Sequence, residues 1–294
     1  SAMAAAVQAV LRVLAFSTES DNPSLLLRTV RVTLTDGDGG ISFPVTKSIA
    51  VTPVNDAPVV TGFGGDASWT ENATPVLISS NAQITDVDSP NFEGGQLVVS
   101  VTSNAHASDR ISVRNVGTGG GQIGVTVSGS TTTVTYGGVA LGTLTGTNRM
   151  TVFLNANATI AAVQALLRQV VFSNISEAPS TLTRTITASV NDGDRGTSNL
   201  LTKTIQVIST NDAPVIEAFG TTATDQTVTY RENSLPILID SNAIVKDPDL
   251  LNFEGAVLTA TLTANSQAVD RLQLLHQGDT AGRVGIDPAG GAVR

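Results

Sequence analysis

The chain has 294 residues, with 16 lysines and arginines against 25 aspartates and glutamates, a net charge of −9. That charge is repelled by nucleic acid and anionic lipid, which disfavours both as partners. Cysteine is absent, which excludes disulfides, thiolate metal sites and cysteine nucleophiles, and no run of about 18 apolar residues offers a membrane-spanning helix.

Ser1-Ala2-Met3 reads as a tag remnant, so a targeting signal is expected outside this sequence. Residues 4–16 are rich in Ala, Leu, Gln and Arg, with Val7, Val10, Leu11 and Leu14 at helical spacing, which predicts a helix. Residues 25–35 and 41–54 alternate apolar and polar side chains, as half-buried strands do. Asp36-Gly37-Asp38 begins the turn between them, and Asn55-Asp56-Ala57-Pro58 closes the stretch.

The same order returns. Residues 160–172 match 4–16, Asp192-Gly193-Asp194 matches Asp36-Gly37-Asp38, and Asn211-Asp212-Ala213-Pro214 repeats Asn55-Asp56-Ala57-Pro58. The offset is 156 at the helix (163 − 7) and 156 at the linker (211 − 55), the mark of an internal repeat. A second block recurs after each linker. Glu71-Asn72 matches Glu232-Asn233, and Asp86-Val87-Asp88 matches Asp247-Pro248-Asp249. So do Asn91-Phe92-Glu93-Gly94 with Asn252-Phe253-Glu254-Gly255, and Asp109-Arg110 with Asp270-Arg271. Here the offset is 161 (232 − 71), so five residues entered the loop after the second linker, a change that loops tolerate.

Three segments follow: 1–54 as the C-terminal part of one repeat, 55–210 as a complete repeat, and 211–294 as the N-terminal part of a third. The expectation is a piece of a longer array, in which the C-terminal part of one molecule is completed by the N-terminal part of another, head to tail. Within 55–210, short strands are expected at 97–102, 111–116, 123–127, 131–136, 150–154, 170–172 and 181–190, separated by Gly- and Asn-rich turns. That spacing predicts an all-β antiparallel sandwich. A short helix near 158–169 would pack over it as a lid, with Asn157 as its N-cap.

Hard oxygen donors gather at the junctions. Calcium takes six to eight oxygens, some from bidentate carboxylates. The pairs Asp86/Asp88 and Asp247/Asp249 have the Asp-x-Asp form that lets two carboxylates converge on one ion. Glu71 and Glu232 are candidate bidentate ligands, and Asp36, Asp192, Asn55, Asp56, Asn211 and Asp212 add oxygens near the repeat ends. Asp and Asn are also common turn residues, which is the simpler reading for Asp38, Asp194 and Asp109. Glu93 and Glu254, each beside a glycine, read as structural turns. The two histidines, His106 and His276, fall opposite Gln267 and Asn115 in the repeat, so neither marks a shared catalytic base. No nucleophile–base signature and no phosphate loop is present.

These residues resemble a known family. The run through Asp36-Gly37 to Asn55-Asp56-Ala57-Pro58 is similar to the last two strands and linker of a cadherin repeat, and Thr70-Glu71-Asn72 and Asp86-Val87-Asp88 are similar to that family's other calcium motifs. The Ala-Ala-Val-Gln-Ala-Leu-Leu-Arg helix and the Asn-Phe-Glu-Gly segment resemble the cadherin-like repeats of very large bacterial surface proteins. The resemblance implies tandem Greek-key β-sandwiches of cadherin-like or Ig-like type, each with one inserted short helix and with calcium bound between neighbours. It implies that Glu71, Asn211, Asp212, Asp247 and Asp249 share the second junction. Asn55, Asp56, Asp86, Asp88 and Asp192 would share the first, crippled by the loss of its upstream glutamate. Asp36 would belong to a junction further upstream, and Glu232 stays a candidate ligand. The linker departs from the family: Ala57 and Ala213 stand where a second Asn is usual, and no Glu follows Asp109-Arg110 or Asp270-Arg271. Fewer ions per junction are therefore expected.

The expected function is an extracellular, non-enzymatic, adhesive array of a bacterial surface protein. Its partners would be neighbouring repeats, a second copy and a surface ligand. The alternatives are a carbohydrate-binding module, using the acid-free stretch 117–148, and a non-catalytic spacer of a secreted enzyme.

Overall fold

Alternating strands dominate the structure, a computed structural model that describes residues 4–220, 226–250, 252–278, 280 and 283–284. Two units, 1–249 and 250–294, are distinct. The first begins with α1 (Ala4–Arg12) and the hairpin β1 (Arg28–Val32) and β2 (Val45–Ile49). Next come β3 (Val59–Thr61), β4 (Ala67–Thr70), β5 (Val76–Leu77), β6 (Gln83–Thr85), β7 (Gln96–Ser103) and β8 (Asp109–Val113). A meander follows: β9 (Ile123–Ser128), β10 (Thr131–Tyr136), β11 (Val139–Thr145) and β12 (Arg149–Leu154). Then α2 (Ile160–Leu167) leads into β13 (Val170–Asn174), β14 (Arg184–Asn191) and β15 (Leu201–Ile208). After the second linker, β16 (Val215–Glu217) pairs with β17 (Ile244–Lys246). In the second unit no strand is formed among the described residues.

The large sheet runs β4-β15-β14-β7-β12-β11-β10-β9, and a smaller one runs β5-β13-β8. Their inner faces share one hydrophobic core, so the arrangement is sandwich-like and mostly β, as expected. Every buried hydrophobic residue among those described lies between Val60 and Val207. Period-two alternation sets the facing: β14 points Ile186, Ala188 and Val190 inward, opposite Val101, Val99 and Leu97 of β7. A one-residue slip of β14 would turn its three inward residues outward, so burial fixes the register. Between β10 and β11 the turn is Gly137-Gly138, both at positive φ, which L side chains adopt only with strain.

Two details differ from the sequence expectation. The cap of α2 is Thr159, whose hydroxyl accepts from the Ala162 N–H at 3.3 Å. Asn157 instead donates to the Ala140 carbonyl at 3.0 Å, tying the turn to β11. The sandwich also carries one parallel pair, β4 beside β15. As the strand order requires, β4 lies on the edge next to the last strand and runs with it toward the second linker. Helix α2 is the expected lid, burying Ala162, Val163, Leu166 and Leu167.

Candidate metal centre

The parallel pairing of β4 with β15 places the first acid. Both strands end toward the linker at 209–214, so Glu71, one residue past β4, lies beside the end of β15. Its N–H donates to the Ile208 carbonyl at 2.8 Å, and its Oε2 accepts from the Thr210 N–H at 2.9 Å. The residue is 3 % exposed. Its other oxygen, Oε1, is buried without a hydrogen-bond partner. A buried ionised oxygen left so is costly unless a cation or donor meets it.

Two more carboxylates converge there. Glu177 and Asp212 each bring an oxygen within 4.8 Å of the others and of Glu71. Asp212 Oδ2 is likewise buried without a hydrogen-bond partner. The Asp212 N–H donates to Asp249 Oδ2 at 2.5 Å, and the Asp249 N–H donates to Asp247 Oδ1 at 3.0 Å. Asn211 closes the linker by donating from Nδ2 to the Asp212 carbonyl at 2.8 Å. The structure thus brings Glu71 and Asp212 into one cluster, extends from Asp212 to Asp249 and Asp247, and adds Glu177. Glu177 was missed in the sequence, yet a signal existed: Asp21 stands 156 positions earlier in the matching Ser-acid-x-Pro-Ser loop.

The first junction repeats this wiring. The Asp56 N–H donates to Asp88 Oδ2 at 3.1 Å, and the Asp88 N–H donates to Asp86 Oδ1 at 3.2 Å. Asp86 Oδ2 and Asp88 Oδ1 are buried without hydrogen-bond partners. Burial pushes the Asp86 carboxyl above its ordinary range, with a smaller push from the Asp88 carboxyl, against the pull of the Ser89 and Asp88 amides. Asn22, next to Asp21, donates from Nδ2 to the Val87 carbonyl at 2.9 Å, so the loop matching that of Glu177 lies at this junction too. A cleft of about 720 Å³ opens here, lined in part by Asn22, Asn55 and Asp88.

Asp192 serves a turn that holds the first linker, and Asp36 makes a turn of its own. Asp192 is fully buried. Its Oδ1 accepts from the Asp194 and Gly196 N–H groups at 2.7 and 2.9 Å, and its Oδ2 from Asn55 Nδ2 at 2.9 Å. A Cβ on Gly196 would sit 2.0 Å from Asp192 Oδ2 and 2.8 Å from the Ala57 Cα, so only glycine lets the linker close on this turn. Asp36 makes the same turn with the Asp38 and Gly40 amides, which hold its exposed carboxyl below the ordinary range. Glu232 is exposed, and its neighbour Asn233 shares the positive φ of Asn72. Asp109, read as a turn residue, does accept from the nearby His106 N–H at 2.8 Å, and is in addition fully buried against Arg184 at 3.3 Å.

The donor set decides the chemistry. It is all oxygen, with no cysteine in the chain and no histidine in the cluster. That composition suits calcium or magnesium, not zinc or copper. Among the described residues, no helix is long and apolar enough to cross a membrane. No family model and no curated protein matches the chain.

Proposed function

We propose that the chain is part of an extracellular, calcium-binding structural and adhesive array, and that calcium stiffens the junctions of a large bacterial surface protein. On this reading 55–210 is a complete cadherin-like Greek-key repeat between two partial ones. Calcium would be held at the second junction by Glu71, Glu177, Asp212, Asp247 and Asp249, with Asn211 bracing the linker. It would neutralise acids drawn from both sides of the linker, so the two repeats could no longer swing independently.

One observation carries this reading: Glu71, whose Oε1 is buried without a hydrogen-bond partner, brings a carboxylate oxygen within 4.8 Å of oxygens from Glu177 and Asp212. The large majority of buried polar atoms are hydrogen-bonded, so an unpartnered carboxylate oxygen beside two other carboxylates favours a ligand role. Calorimetric titration of chelator-stripped protein tests the reading. Calcium should bind at roughly 10⁻⁴–10⁻³ M, the range of extracellular modules, with magnesium much weaker. Glu71→Gln keeps the acceptor for Thr210 and removes the charge, and should weaken binding about tenfold. No saturable calcium binding up to about 10 mM, well past the range of such modules, would contradict it.

A further inference from the structure

Trp69 is 3 % exposed, and its Nε1 is buried without a hydrogen-bond partner. An indole N–H only donates, and in a buried tryptophan it usually meets an acceptor. The ring sits edge-on to Phe172, with centroids 6.3 Å apart, so it is held in place. Trp69 lines a cleft of about 480 Å³, within the size range of small-molecule sites. The cleft opens at the edge of the sandwich, where β4 bounds the large sheet and β5 the small one. Arg114, just past β8, lines it too. Its Nε donates to Gln169 Oε1 at 2.9 Å, and among the described residues it forms no ion pair. No acid lines the cleft, although the chain carries 25 of them.

The sequence repeat separates the wall of this cleft from its polar groups. At the 161 offset, Pro75, Val76 and Leu77 fall opposite Pro236, Ile237 and Leu238, so the aliphatic wall recurs. Trp69, Thr74 and Arg114 fall opposite Tyr230, Leu235 and Leu275. The indole, the hydroxyl and the guanidinium are thus particular to 55–210. The cleft does not suit an extended peptide. In the parallel pair β4–β15 alternate residues turn their backbone to the partner strand, which leaves Ser68 and Thr70 facing out. The Thr70 carbonyl already accepts from the Ala73 N–H at 3.0 Å, so too few groups remain for an added strand to pair with.

We infer that this cleft binds an acidic sugar of the uronic acid class. The sugar carboxylate pairs with the guanidinium of Arg114, and a ring or hydroxyl oxygen accepts from Trp69 Nε1. The hydroxyls of Thr70 and Thr74 exchange hydrogen bonds with those of the sugar. Val76 and Leu77, both half-buried, cover its C–H face. An unpaired cation in an acid-free cleft selects an anion, and hydroxyls beside an aliphatic wall select a sugar over a simple carboxylate. The site shares no residue with the carboxylates that meet at the second linker, and it needs no cation.

Trp69 is the only tryptophan in the chain, so its emission reads the cleft directly. Glucuronate is titrated into the full chain in chelator, where no calcium can hold the sugar at a junction. It should shift that emission with a dissociation constant of about 1 mM, the reach of a ligand of about a dozen non-hydrogen atoms. Glucose, which lacks the carboxylate, should bind about tenfold more weakly. Arg114→Leu, which installs the residue of the other repeat, should weaken glucuronate about tenfold, and Arg114→Lys should recover part of that loss. The thermal melt of each variant serves as the folding control, and calcium affinity should be unchanged in both. No emission change up to about 30 mM glucuronate, well past the expected constant, would overturn the proposal. So would glucose or acetate binding as tightly as glucuronate, or an Arg114→Leu variant of unchanged affinity.

Discussion

The Asp212 N–H donates to Asp249 Oδ2 at 2.5 Å, and 156 residues earlier the Asp56 N–H donates to Asp88 Oδ2 at 3.1 Å. In both places a linker amide is tied to the second carboxylate of an Asp-x-Asp pair, whose first carboxylate accepts from the second's own N–H. The linker is thus held to the acids that would bind the ion. Asp249→Asn keeps an acceptor and removes a charge. It should weaken calcium about tenfold while the Asp212 amide stays protected from hydrogen exchange. Asp249→Ala should lose both calcium affinity and that protection. Equal protection in the two variants would show that the hydrogen bond does not hold the linker.

Glu177 reaches the cluster from the loop between β13 and β14. Glu177→Ala should reduce calcium affinity about as much as Glu71→Gln, near tenfold. It should leave stability in chelator unchanged within about 0.5 kcal/mol, because the residue is exposed. Calorimetry and chemical denaturation check the two halves of this expectation.

The Asp109–Arg184 pair should be a stability element independent of calcium. Arg184→Met strands a buried carboxylate and should cost about 3–5 kcal/mol in equilibrium denaturation. Arg184→Met with Asp109→Leu should recover most of that loss. A cost under about 1 kcal/mol for the single variant would place this pair among weak, solvent-screened ones.

Asp86 sets a pH dependence. Its carboxyl titrates above its ordinary range because burial disfavours the charged form. The folded chain therefore holds this proton more tightly than the unfolded chain. The stability it contributes is present below the unfolded pKa and is lost as pH rises through the raised folded pKa. In chelator, Asp86→Asn should remove that loss, so the variant gains on the parent as pH climbs. In calcium the parent should regain the difference near neutrality, since the ion takes the place of the proton. Denaturation series at several pH values, with and without calcium, measure both.

The strands and the repeat were legible because burial writes a period of two into sequences such as Arg184–Asn191, and because 156- and 161-residue offsets align whole motifs. The acids at the junctions were legible for the same reason: Asp86/Asp88 and Asp247/Asp249 recur as pairs. Contacts across long sequence separations were not. Arg184 and Asp109 each have a repeat partner in sequence, yet nothing local says that they meet across 75 positions. Glu177 escaped because its counterpart is Asp21, an acid of different length in a loop whose other residues read only as a turn. The cap of α2 went to Thr159, the residue directly before Ile160, and Asn157 donates to the Ala140 carbonyl two positions earlier. The parallel edge β4–β15 was invisible because strand direction is set by the order of strands in the sheet, not by alternation.

The central claim is that calcium binds the folded junctions, and a thermal melt with and without the ion tests it most directly. At about 100-fold over the dissociation constant, binding to the folded state adds about 2.7 kcal/mol. For a domain of this size that raises the melting temperature by roughly 5–10 °C. At about 10 mM calcium, 10- to 100-fold over a dissociation constant of 10⁻³–10⁻⁴ M, the full chain should show a rise of roughly 3–10 °C against chelator, and the variant carrying Glu71→Gln and Asp212→Asn should lose most of it. A melting temperature unchanged by calcium, or a rise that survives both substitutions, would contradict the account.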